Sequence, residues 1–285
     1  MGVEGAEASI DGYPIDPRFR SVRVVGIAGA EDYLMPTPEK RDRVRIRPTA
    51  SPVMYQSWQD LLFLHWEWDG KEIQRTLPRG LYVDRYQGRC FLGIVPFKMR
   101  RVRPRSLPHV PGISDFLELN LRTYVHDANG LPGVWFYSLD ANQRLAVAIA
   151  RWFFSLPYHW ATMQAEKNED DATVSFSSSR GGDKSLLVRY RYRSKGLPQQ
   201  AQPGSLEFFF LERYVLFAET RSGLRAGRVH HEPYNLCCVE LLEWGELLLS
   251  LNGFTPPRRT PDHAVLSPGV DVSIYAMRSP GDALE

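Results

Sequence analysis

The segment 115–125, DFLELNLRTYV, alternates two kinds of side chain. As a strand it sends Leu117, Leu119, Leu121, Thr123 and Val125 to one face and Phe116, Glu118, Asn120, Arg122 and Tyr124 to the other. The second row sets a carboxylate, an amide, a guanidinium and a phenol about 7 Å apart per step. A row of that kind can do chemistry. Glu118 could move a proton and Arg122 could clamp an anion, with Asn120 and Tyr124 as further ligand contacts. Two readings fit. In one the row faces bulk water, as on a half-buried antiparallel strand. In the other it lines a barrel interior that holds a small ligand.

Other reactive residues narrow the chemistry. Seven histidines stand at 65, 109, 126, 159, 230, 231 and 263, and none has metal-ligand spacing. Neither a metal nor a cofactor is therefore expected. No nucleophile elbow, Walker loop or dinucleotide fingerprint occurs. Cys90, Cys237 and Cys238 are too few and badly spaced for a disulfide scaffold. Of the 35 basic residues only six are lysines: Lys40, Lys71, Lys98, Lys167, Lys184 and Lys195. That leaves few candidates for chemistry needing an amine.

The elements that must position these residues are mostly strands. Met54 opens the core, and the dense apolar run 58–68 fits a buried strand. Asp69 caps a helix over 70–77. Residues 81–85 and 89–102 alternate around Gln87–Gly88 as a hairpin. Strands at 113–125 and 133–139 flank the turn HDANGLPG. A helix follows over 141–155, with Asp140 as N-cap, Gln143 completing a capping box and Pro157 as the stop. Leu145, Ala148, Ile149, Trp152 and Phe153 form its apolar face. Strands are then expected at 160–166, 172–179 and 185–193, with a loop at 196–204. A short helix near 205–211, strands at 213–219, 224–231 and 235–243, a helix at 245–252 and a final pair near 262–277 complete the chain. The fold class is α+β, β-rich and antiparallel.

The 285 residues are 43% hydrophobic and 24% charged with a net charge of +2, which excludes a disordered or strongly polyanion-binding chain. The basic run 98–105 reads as a solvated strand end, so nucleic acid is not an expected partner. The apolar runs are too short to span a membrane. The first residues carry no secretory signature, so a cytoplasmic protein is expected. Residues 1–53 read as an N-terminal arm, with a strand at 21–28 and an extended connector over 36–53. Residues 54–278 form the main domain, and 279–285 a tail.

Seven strings follow one another in order: MYQSWQDLLFLHW, LPRGLYVDRYQGRCFLGIVPFKM, FLELNLRTYV, GVWFYSLDANQRLAVAIAR, LPYHWATM, GSLEFFFLERYVLF and HHEPYNL. Over about 54–277 the chain resembles the YqjF-like family of uncharacterised bacterial proteins, a domain of unknown function. That family is grouped, more distantly, with acetoacetate decarboxylase. The resemblance implies a closed, cone-like β-barrel with a few flanking helices and a ligand cavity inside it. It also implies that Glu118 lines the cavity, and that LPYHW stands where the decarboxylase keeps its lysine pair. Tyr158 and His159 occupy those positions here. A Schiff base needs a primary amine, and neither residue supplies one. The expected function is a site for a small anionic or oxo metabolite, with Glu118, Tyr158 and His159 catalytic and Asn120, Arg122 and Tyr124 binding. A non-catalytic small-molecule-binding module and a protein-interaction module are the alternatives.

Overall fold

The computed structural model describes residues 9–10, 13–14 and 33–284, without the side chains of 9–10, 13–14 and 149–153. The chain divides into two units, Met1–Asp32 and Tyr33–Glu285. In the first, Ser9–Ile10 (β1) pairs antiparallel with Tyr13–Pro14 (β2). The strand expected at 21–28 lies outside the described residues.

The second unit begins with a helix, Pro38–Arg43 (α1), where an extended connector was expected. Thr37 accepts the Lys40 amide as N-cap, and Pro38 at the first helical position is preorganised for the turn. Met54–Trp68 (β3) leads to Gly70–Thr76 (α2), capped by Asp69 as its sequence predicts. Leu81–Val83 (β4), Cys90–Pro104 (β5), Phe116–Asp127 (β6) and Pro132–Ala141 (β7) follow. After Arg144–Phe154 (α3) come Tyr158–Lys167 (β8), Val174–Arg180 (β9) and Leu187–Gln200 (β10). Leu206–Leu211 (α4), Val215–Thr220 (β11), Gly223–His231 (β12), Asn235–Glu243 (β13), Leu247–Ser250 (α5) and His263–Ile274 (β14) end the unit.

Twelve strands make one sheet in the order β12-β11-β7-β8-β9-β10-β13-β14-β3-β5-β6-β4, with further pairings β12–β14 and β7–β6. β7 runs parallel to β8 and β11. This is a strand-rich α+β architecture with few helices.

Several local expectations change. The Gln87–Gly88 turn forms, closed by a Tyr86–Arg89 bridge, yet β4 pairs with β6 and not with β5. The chain diverges at Asp84, whose amide bonds to Tyr124 O and whose carboxylate is drawn to Arg213. Asp140 is no helix cap. It lies buried at the end of β7, paired to Arg180 at 2.7 Å, and Gln143 caps α3 instead. At the start of α3, Val147 is buried while Leu145 and Ala148 of the expected apolar face are exposed, and the side chains of Ile149, Trp152 and Phe153 lie outside the described residues. The loop expected from 196 is strand as far as Gln200, because β10 resumes pairing with β13 after an irregularity.

The expected final pair is one strand. β14 runs along β3 past Pro268 without a shift of register, while Asp60 (φ 52°) sits where the register of β3 with β5 shifts. Gly269 (φ 147°) makes this possible, since a Cβ there would lie 2.3 Å from Trp58 O. The C-terminal residues also pack: Ala283 is buried and its carbonyl accepts from Arg228.

β6 is buried on both faces. Leu119 and Leu121 pack with Leu62, Trp66 and Tyr137. Phe116 and Tyr124, on the face that carries Glu118, join Phe63, Phe210 and Tyr158. No helix among the described residues is long and apolar enough to cross a membrane.

Candidate functional site

A cavity of about 480 Å³ is walled by the ends of β3, β5, β6 and β14, by α3 and by the loop after β5. Glu118 and Tyr158 both line it. Glu118 reaches it from the even face of β6, and Tyr158 from the first residue of β8. Proline at 157 stops α3 and its carbonyl accepts the Leu139 amide, which fixes where β8 starts beside β7. The two residues, far apart in the chain, thus meet across the sheet.

Glu118 is only 3% exposed, so the polar row of β6 does not face bulk water. The Tyr158 hydroxyl donates to Glu118 Oε2 at 2.7 Å, and Asn120 Nδ2 donates to Oε1 at 3.3 Å. Burial lifts the Glu118 carboxyl to about 7, against the lowering pull of both hydrogen bonds. Burial and the neighbouring carboxylate push the Tyr158 phenol well above its ordinary range, so Tyr158 stays protonated as a donor. The arrangement is a carboxyl able to gain or lose a proton near neutrality, with a phenol and an amide fixing its two oxygens.

Arg122 and Tyr124 lie further along β6 and do not line this cavity. The Arg122 guanidinium sits over the rings of Phe63 and Tyr124, at 5.3 and 5.6 Å, and Nη2 donates to the Tyr124 hydroxyl at 3.4 Å. Arg122 Nε and Asn120 Oδ1 are buried without a hydrogen-bond partner. His159, next to Tyr158 on β8, is half-buried and is not among the cavity-lining residues. Strand alternation turns it to the other face.

A second polar chain was not foreseen. Tyr124 Oη lies 2.6 Å from His65 Nε2, His65 Nδ1 lies 3.0 Å from His263 Nδ1, and His263 Nε2 lies 3.5 Å from Glu207 Oε1. Burial, His263 and Arg122 lower the His65 pKa, and burial also lowers that of His263 despite Glu207. Both rings are therefore neutral, and one set of tautomers satisfies every contact: Tyr124 donates to His65, His65 to His263, and His263 to Glu207. Only the direct register of His65 opposite His263, on β3 and β14, brings them together. No spacing within the sequence signals that pairing. Arg213 of the LERY string pairs with buried Asp84 at 2.7 Å, an internal ion pair.

Comparison with known proteins agrees with this architecture. The profile of the DUF2071 family, described as an uncharacterized conserved protein, matches residues 55–271. The uncharacterized protein YqjF of Bacillus subtilis (strain 168) is 39% identical over 209 residues, which is 73% of this chain and 85% of that protein. Among solved structures, the enduracididine biosynthesis enzyme MppR complexed with pyruvate aligns with a TM-score of 0.56 at 12% identity, over 82% of this chain and 93% of its own. Acetoacetate decarboxylase from Legionella pneumophila gives 0.55 at 15%, over 87% and 92%. An acetoacetate decarboxylase-like enzyme from Sphingomonas wittichii RW1 gives 0.52 at 13%, over 80% and 93%. At such identities the likeness is one of fold. The profile match and the close relative go further, and the chain belongs to the DUF2071, or YqjF, family.

Proposed function

We propose that the chain is an enzyme that moves a proton on a small oxo compound without a covalent imine, with Glu118 as the base. The observation that carries this reading is Glu118 itself, a buried carboxyl poised near neutrality in the wall of a ligand-sized cavity. Ionised Glu118 takes a proton from the carbon beside the substrate carbonyl. The C–H electron pair becomes the carbon–carbon π bond of an enolate, and the carbonyl π pair moves to oxygen. The Tyr158 hydroxyl, no longer held by a carboxylate, turns to donate to that oxygen. Return of the proton from Glu118 completes the exchange. Asn120 positions Glu118. Arg122 lies outside the lining, over the Phe63 and Tyr124 rings, and Tyr124 holds it in place. His159 takes no part.

Two further observations support this reading. No lysine lines the cavity, and Lys98 on β5 is bound to Asp60 at 2.8 Å. The fold neighbours include an enzyme complexed with pyruvate and two whose names specify acetoacetate decarboxylase or a likeness to it. The same reading takes the sheet as a barrel closed around the cavity. The run of paired neighbours β3, β5, β6, β7, β11, β12, β14 and back to β3 supports that closure.

The test is exchange of α-hydrogens of simple ketones in D2O, followed by proton NMR. The wild-type rate should rise as pH passes through about 7. Glu118→Gln should slow it by about 10²-fold or more, in line with general-base contributions, and Tyr158→Phe by about tenfold. Exchange equally fast in Glu118→Gln overturns the catalytic role. Ketone binding without exchange would leave the non-catalytic binding module.

A further inference from the structure

We propose that the ligand of this cavity is an uncharged carbonyl compound carrying an extended apolar chain, and not a short or anionic oxo acid. The inference rests on the cavity being the site. It narrows the expected ligand from "anionic or oxo" to neutral and lipophilic.

Three observations carry it. The first is size. At about 480 Å³ the cavity falls in the range of roughly 300–1,000 Å³ that encloses drug-sized ligands, so a three- or four-carbon acid would leave most of it unfilled. The second is chemistry. Apart from Gln56, Ser114, Glu118 and Tyr158, the described lining is apolar, with side chains such as Met99, Phe116, Phe136 and Leu156. Among the described residues, no arginine, lysine or histidine lines it. Among the described lining residues a ligand carboxylate would meet no counter-charge, and it would face Glu118, which repels it once ionised. Arg122, the expected anion clamp, is engaged with the Phe63 and Tyr124 rings instead.

The third is the mouth. Leu107, Val110, Ile113 and Leu145 all line the cavity, yet their exposures are 58%, 46%, 44% and 50%. Large apolar side chains grouped in water at a rim mark a binding surface. The rim is also held in place. Val110 N donates to Ser114 Oγ at 2.8 Å, and Gln143 Nε2 donates to Gly112 O at 3.2 Å, which ties the loop to the start of α3. An alkyl or aryl chain running from the Glu118–Tyr158 end to this rim would cover all four side chains.

The experiment is isothermal titration at pH 8 with 2-ketones from acetone to 2-undecanone, and with undecanoate as a charged probe of matched length. Each added methylene should tighten binding by about fourfold until the cavity is full. Undecanoate should bind at least tenfold more weakly than 2-undecanone. Leu145→Ser, at an exposed position that folding tolerates, should weaken only the longest ketones. Ala146→Phe should cut the series short. Glu118→Gln should keep the chain-length dependence while losing α-hydrogen exchange, so a failure of the proton-transfer reading is distinct from a failure of this one. Affinity that does not change with chain length, or undecanoate binding as tightly as the ketone, overturns the proposal.

Discussion

Glu118 holds its proton more tightly in the folded chain than in the unfolded one, and that has a measurable sign. Burial raises its pKa from 4.5 to about 7. Its favourable contribution is then complete below about pH 4.5 and is lost as pH rises through about 7. A shift of that size corresponds to about 3 kcal/mol. Glu118→Gln keeps the shape and removes the titration. The difference in urea unfolding free energy, wild type minus variant, should fall by about 3 kcal/mol between pH 4.5 and 8. A constant difference would mean that Glu118 is not buried in a dry wall. Taking the difference matters, because neutral buried histidines such as His65 give the absolute profile an opposite slope. Both members of the Glu118–Tyr158 pair could be named from alternation and motif. That they touch, and that Arg122 lies outside the cavity lining, depends on sheet neighbours separated by many residues, which alternation does not encode.

At the level of strands and turns, the least readable feature was the partner of a short strand. β4 and β5 flank a well-formed two-residue turn, and turn chemistry alone makes them a hairpin. Asp84 decides otherwise. Its carboxylate is buried between Arg213 at 2.7 Å and Arg41 at 2.8 Å. Burial pulls its pKa up, but the two guanidinium groups outweigh that and hold it low. Pulling Asp84 inward separates β4 from β5 and sends β4 to the edge of β6. Ion pairs assembled from three distant segments leave no local signal, whereas the Asp69 and Ser205 caps, which satisfy amides two or three residues away, are readable. Asp84→Asn should cost about 3 kcal/mol in urea unfolding, because it strands the buried Arg213. Arg41→Ala should cost under about 1 kcal/mol, since Arg41 is partly solvated. Equal costs for the two would contradict the view that Arg213 is the partner Asp84 must neutralise.

Across the molecule, the compact unit Tyr33–Glu285 takes in residues that precede Met54, where the sequence reading opens the main domain. Composition shifts at Met54, where apolar density rises, and that shift looks like a boundary. Packing does not break there. Val44 is buried against Leu81, Val125, Tyr214 and Ala283. Tyr33 stacks on Tyr82 at 4.2 Å. Arg228 Nη2 donates to the carbonyls of Val44 and Ile46 at 2.8 and 2.9 Å, and Nη1 donates to Ala283 O at 3.1 Å. One buried arginine therefore ties both ends of the unit to β12. An arginine-rich stretch reads as solvated, and neither hydropathy nor charge reveals that its backbone carbonyls are the partners. The consequence separates two truncations. A chain beginning at Tyr33 keeps every one of these contacts and is the reference for the comparison. A chain beginning at Met54 exposes the apolar patch around Tyr214. It also leaves Arg228 with one partner and removes Arg41 from Asp84. The loss of Val44 burial and of charged hydrogen bonds together should cost at least about 3 kcal/mol. Equal stability for the two truncations would mean that residues 33–53 are an appendage after all, and that the unit ends where the composition changes.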